Sequence, residues 1–258
     1  MAATTTTTAV RAETTKFFSV RSLPWLAAIA VGASTVMAVL FIVSLPSTQG
    51  SSLVDMPAAK VVGAALVGID VAAIVLMVLG ASFAGSEYST GLAQPTFVLT
   101  PHRGRVVVAK AAVTAGVAAV DALAAAVLCT LVGELLLLSS GVAPAPVDGP
   151  LVRLALGSAL GPVFYALIAL AGALVFRSTG GGVVTALVVL VLPTVTAWIP
   201  GLAGLAWLLP GAALHGRSGA SVAGTAECLA PGVAALSIVG WTMLAGAAAL
   251  WGVRSRDV

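Results

Sequence analysis

The stretch Val61 to Phe83, VVGAALVGIDVAAIVLMVLGASF, runs for 23 residues with one charged side chain, Asp70. About 20 apolar residues, rising about 1.5 Å each in a helix, cross a hydrocarbon core of about 30 Å, so this run is long enough to span a bilayer. A strand of a membrane barrel would be about ten residues long and would alternate polar with apolar side chains, which this run does not do. Five further runs share its character: Leu23 to Leu45, Val106 to Leu138, Leu151 to Phe176, Val183 to Ile199 and Leu229 to Gly252. The expectation is an all-α integral membrane protein with six transmembrane helices. It divides into a tail and interfacial helix at 1–22, a six-span domain at 23–252 and a terminal tail at 253–258.

Composition agrees with that class. Of 258 residues, 60% are hydrophobic and 8% charged, where a soluble domain carries about a quarter charged residues and needs them to cover its surface. The net charge of +3 comes from twelve Lys plus Arg against nine Asp plus Glu, and the basic residues form no single stripe with aromatics, which speaks against nucleic acid. They sort instead by loop. With the N-terminus inside, Arg11, Lys16, Arg21, Arg103, Arg105, Lys110, Arg177, Arg254 and Arg256 are inside, and Lys60, Arg153 and Arg217 outside. The positive-inside rule therefore places both termini in the cytoplasm. The run from Leu23 exceeds the core of a cleavable signal peptide, so it reads as a retained span. Thr4 to Thr8 reads as a disordered tail that turns helical along the membrane near Phe17 and Phe18. Gly201 to Leu209 is too apolar for a wet loop, so short re-entrant helices are expected between the fifth and sixth spans.

Water chemistry finds few residues. No Gly-x-x-x-x-Gly-Lys-Ser/Thr loop is present to cradle phosphates, and Ser178-Thr179-Gly180-Gly181-Gly182 lacks the lysine and reads as a tight turn between spans. His102 and His215 fall on opposite sides of the membrane, and no Cys-x-x-Cys or His-Glu-x-x-His occurs. No catalytic or metal site is expected in this chain. Cys129 and Cys228 both lie toward the outer leaflet, as two apolar thiols or as a disulfide. Asp70 and Asp121 lie roughly 20 to 25 Å along their helices from the inner ends, a depth at which exposure to lipid costs at least about 2.5 to 3.5 kcal/mol. Two readings stay open for them: a helix seam held by hydrogen bonds, or a polar substrate path.

The polar segment from Ser82 to Lys110 carries the rest. Ser86 reads as a helix cap with Glu87 at the positive end of the dipole. Tyr88, Leu92, Thr96 and Leu99 recur at helical spacing, interrupted by Gly91 and Pro95. Arg103, Arg105 and Lys110 are expected to meet headgroup phosphates before the third span. Glu87-Tyr88-Ser89-Thr90-Gly91, then Pro101 with Arg103, then Ala109-Lys110 opening the next span, resembles the membrane subunits (permeases) of bacterial ABC exporters of the second type. Six spans, the basic approach to the first and the terminal Arg254-Ser255-Arg256-Asp257 resemble that family too. Gln94 and His102 depart from its pattern, standing where basic residues are common, so docking should be less electrostatic here.

The resemblance implies that Glu87, Tyr88, Ser89, Thr90, Gly91, Pro101 and Arg103 form a cytoplasmic coupling helix between spans 2 and 3, docking on a separate ABC ATP-binding subunit. ATP and Mg would be bound by that partner and not by this chain. It also implies a homodimer or heterodimer of six-span units around an export path. Gly157-x-x-x-Gly161 would allow close helix contact. A non-transporting membrane scaffold or sensor subunit is the alternative, and Glu134 with Arg153 is the one faint pair for a lipid-modifying enzyme.

Overall fold

A computed structural model describes residues 6–92, 103–199, 208–218 and 229–255. Most of those residues are helical, without a strand among them. In chain order the helices are α1 (Thr6–Ser19), α2 (Ser22–Gln49), α3 (Ala58–Leu66), α4 (Ile69–Ser89), α5 (Arg103–Ser139), α6 (Gly149–Ser158), α7 (Leu160–Phe176), α8 (Thr179–Trp198), α9 (Pro210–Ser218) and α10 (Pro231–Arg254). Six stretches are long and apolar enough to cross a membrane: α2, α3 continued by α4, α5, α6 continued by α7, α8 and α10. Each coincides with one of the expected spans.

Two of the six form the centre. In the most apolar windows of the second and fourth spans 56% and 67% of residues are buried, against 11% for the fifth and sixth. α4 packs most extensively on α7, and α2, α5, α8 and α10 surround that pair. The outer helices present Val120, Leu135, Leu236 and Met243 outward, as expected where lipid rather than water is the solvent.

Small residues permit the central contact. A Cβ on Gly80 would meet the Ala166 backbone, and one on Gly182 would meet Ala169 O and the Cβ atoms of Ala173 and Ala81. This corrects the reading of the glycine triplet as a turn. Gly180, Gly181 and Gly182 belong to the first turns of α8; Ser178 is the N-cap, its hydroxyl accepting from Gly181 N–H at 3.0 Å. The connection is confined to Arg177, at φ 54, and Ser178. Of the three, Gly182 makes the close approach of α8 to α4 and α7, Gly181 leaves room for Phe176 and Ser178 at the connection, and Gly180 meets nothing. Gly161, by contrast, has nothing within 4 Å of a Cβ, so it makes no close contact.

Both central spans are interrupted. Between α3 and α4 the backbone tightens to i→i+3 hydrogen bonds, Gly68 N to Ala65 O at 3.0 Å and Asp70 N to Val67 O at 3.1 Å. Gly68 sits where a Cβ would strike Ser34 O and Ala38 N of α2. The fourth span breaks at Ala159, just before Pro162, which has no N–H to return to the Ser158 carbonyl.

Three further expectations change. The N-terminal segment is helical from Thr6, and Phe17 is buried against Phe83 at 5.5 Å between ring centroids instead of lying only along the membrane surface. Ser86 starts no helix: Ser86, Glu87, Tyr88 and Ser89 are the last turn of α4, and the Ser86 carbonyl accepts from Thr90 N–H at 3.0 Å. Gly91, at φ 75, then ends the helix, a conformation that glycine adopts without steric cost. Residues 93–102, including Pro101 and His102, and the apolar stretch 201–207 lie outside the described residues, as do Cys228 and the tail beyond Ser255.

Candidate functional site

Most of the basic residues gather at one end of the bundle. α1, the last turn of α4, the first turns of α5 and the end of α10 meet there, and among the described residues Arg11, Lys16, Arg21, Arg103, Arg105, Lys110, Arg177 and Arg254 belong to these elements or to the adjoining turns. Lys60 and Arg153 belong to the opposite end.

Four side chains form a closed ring at the basic end. Lys110 Nζ reaches Glu13 Oε2 at 2.7 Å and Glu87 Oε1 at 2.8 Å, and Lys16 Nζ reaches Glu13 Oε1 at 2.8 Å and Glu87 Oε1 at 3.1 Å. Each ammonium touches both carboxylates, so the formal charges cancel. Lys110 is 1% exposed and Glu13 4%. Burial of a charge is tolerable only with compensation of this kind. The Phe83 ring adds to it, its centroid 4.4 Å from Lys110 Nζ, where the negative π face attracts the cation.

This ring corrects the expectation that Lys110 meets headgroups. It sits two turns into α5, facing α1 and α4, because a buried lysine there completes a pairing that a solvent-facing one would forgo. Lys16 shows the balance of forces. Partial burial lowers its pKa, but the bonds and fields of Glu13 and Glu87 raise it more, leaving it above the ordinary 10.5.

The residues read as ATPase-coupling separate into two kinds. Glu87 turns inward into the ring, and Tyr88 is half-buried with the Arg177 guanidinium 5.9 Å from its ring centroid. Ser89, Thr90 and Gly91 are exposed, with the Ser89 and Thr90 hydroxyls donating to the Ser86 carbonyl at 3.0 and 2.7 Å. Arg103 donates from Nη1 to the Val253 carbonyl at 2.8 Å, satisfying one of the open carbonyls at the end of α10. Glu13 was the partner that sequence reasoning missed. Its one local signal is Lys16, three residues on, in a chain with few acids.

The two intramembrane aspartates part company. Asp70 follows the break between α3 and α4 and lines a cavity of about 360 Å³ together with Tyr165 and Ser158. Asp121 is half-buried on α5 and does not line it; its Oδ2 is enclosed without a hydrogen-bond partner among the described residues. Cys129 is buried as a free thiol 3.6 Å from Ser34 O. Glu134 Oε2 accepts from Ala145 N–H at 3.0 Å, so it tethers the loop after α5. Among the described residues no three His, Cys, Asp or Glu side chains come together as metal ligands.

Comparisons of the chain with protein-family models, with curated proteins and with solved structures give no match.

Proposed function

We propose that this chain is the membrane subunit of an ATP-driven exporter of the second ABC type, working as a dimer, with ATP and Mg held by a separate ATP-binding subunit that docks at the basic end. One observation carries the reading. The exposed tip Ser89, Thr90 and Gly91 stands on a turn that the Glu13–Lys16–Glu87–Lys110 ring ties to α1, α4 and α5 together. A push on a floppy loop would dissipate in the loop. A push on this tip would be delivered to the second span, the third span and the helix before the first as one body. Glu87 and Lys110 are then positioning residues, and Ser89, Thr90 and Gly91 are the contact.

The test is isolation of the chain from its native membrane with an engineered photo-crosslinker at Thr90. An ATP-binding cassette subunit is expected in the crosslinked product, and reconstituted pairs should lose ATP-dependent export, while keeping ATP hydrolysis, when Glu87→Gln is introduced. A chain that purifies from native membranes without any ATPase, and whose Thr90 crosslinks only to lipid, is a scaffold or sensor, and the exporter reading fails.

A further inference from the structure

We infer that the basic end of α10 carries a binding site for an anionic phospholipid, its phosphate held by Arg254, Trp251 and Ser255 and an acyl chain running along the outward face of the helix. Ala247, Leu250, Trp251, Arg254 and Ser255 line a groove of about 400 Å³ there. Their spacing of three and four residues puts them on one stripe. The stripe continues through Leu244 and Met243, which are exposed and face hydrocarbon where lipid is the solvent. Ala247 is the small residue between those two side chains and Trp251, so the surface dips where a methylene chain would lie. Arg254 Nη2 comes within 3.5 Å of where a Cβ on Gly104 would stand, and a Leu250 methyl within 3.6 Å, so the groove borders the start of α5.

Two observations say what covers the groove. First, three of its side chains are donors without acceptors. The Arg254 guanidinium, the Trp251 indole N–H and the Ser255 hydroxyl make no hydrogen bond or ion pair among the described residues. On the same helix the Trp241 indole N–H does have its acceptor, the Leu208 carbonyl at 2.9 Å. Donors left over beside an apolar wall suit a ligand with oxygens at one end and hydrocarbon at the other, and an indole favours the layer where the two meet. Second, the charge of this end selects an anion. Glu13 and Glu87 are engaged in the ring with Lys16 and Lys110. The charge of Arg11, Arg21, Arg103, Arg105, Arg177 and Arg254 is then in excess, with no further acidic side chain on these elements. The stretches of sequence that join or extend them, 1–5, 93–102 and 256–258, add Arg256 and one acid, Asp257. The open carbonyls at the end of α10 would oppose an anion, but Arg103 answers that of Val253. A zwitterionic lipid would bring an ammonium into a positive field, whereas an anionic one brings its phosphate alone. Inorganic phosphate would leave the apolar wall unused.

The site rests on α10 and the start of α5, and stands whether or not an ATPase docks on the chain. Native mass spectrometry of the full chain, titrated in detergent with dioleoylphosphatidylglycerol or dioleoylphosphatidylcholine and with no ATPase present, tests it. Phosphatidylglycerol is expected to bind with a preference of at least about fivefold, the effect of roughly one basic side chain at a lipid surface. Arg254→Gln should abolish the preference. Trp251→Leu, which keeps an apolar side chain toward the lipid, should weaken phosphatidylglycerol binding. Both side chains are exposed, so both variants should fold. Arg21→Gln removes a charge from the same end but away from the groove and should keep the preference, and Asp257→Asn should change it by less than about twofold. Equal binding of the two lipids, a preference that survives Arg254→Gln, unchanged binding in Trp251→Leu, or an equal fall in Arg21→Gln overturns the site. A several-fold gain in Asp257→Asn would assign the groove to the chain's own tail and overturn it as well.

Discussion

Lys110 is the side chain on which the basic end depends, since its removal leaves two carboxylates sharing one partly exposed ammonium, Lys16, and strands one negative charge. Lys110→Met should destabilise the protein by about 3 to 5 kcal/mol, the cost of breaking a buried ion network from one side. Adding Glu13→Gln to it removes one stranded charge and should restore much of the loss. Thermal unfolding in detergent measures both, and faster trypsin cleavage at Arg11 and Lys16 would report the release of α1. Lys16 works in the same ring with its pKa raised. A raised pKa means that its contribution is complete below the unfolded value and fades only as pH climbs through the higher folded one. Protection of α1 from cleavage should thus be flat between about pH 7 and 9 and decline in the alkaline range above the ordinary lysine value. A loss of protection on going from pH 7 to 9 would contradict that assignment. Asp121→Asn should leave the unfolding temperature equal or higher, because it replaces an enclosed ionisable carboxyl, without a hydrogen-bond partner among the described residues, by a neutral amide of the same shape. At this scale the sequence disclosed the right residues and the wrong directions. Glu87 and Lys110 stand out as charges beside apolar runs, but a charge carries no sign of whether it faces headgroups or a partner 23 residues away, and Glu13 is 97 residues from Lys110.

Among helices, contact distance decides what a glycine is for. Gly182→Val would drive a side chain into the backbone of α7 and into Ala81, an overpacking that costs about 1 to 3 kcal/mol or more. Gly161→Ala meets nothing and should change stability by less than about 0.5 kcal/mol. Unfolding temperatures of the two variants test the assignment, and equal temperatures would refute it. The spans themselves were legible because a run of about 20 apolar residues admits almost no other reading. Their breaks were not: α3 and α4 read as one helix, because Gly68 signals permission for a close approach without saying that the backbone of α2 lies there. The same ambiguity turned Gly180 to Gly182 into a supposed turn. Pro162 was the one local mark of the second break, and it lies inside a run apolar enough to hide it.

For the molecule as a whole, the clustering of basic residues at one end fits an orientation with that end in the cytoplasm. In a background without the native cysteines, Val147→Cys at the opposite end should react with an impermeant maleimide in intact cells, and Ser89→Cys only after the membrane is opened. Labelling of Ser89→Cys from outside would detach the tip from any cytoplasmic ATPase and remove the coupling proposal. The ring that fastens α1 also has a consequence for biogenesis. The ribosome delivers Glu13 long before Lys110, so α1 has no berth until the helix that carries Lys110 has entered the membrane. Nascent chains arrested before that point should leave α1 open to protease, and those arrested after it should not: a helix made early waits for a lysine made late.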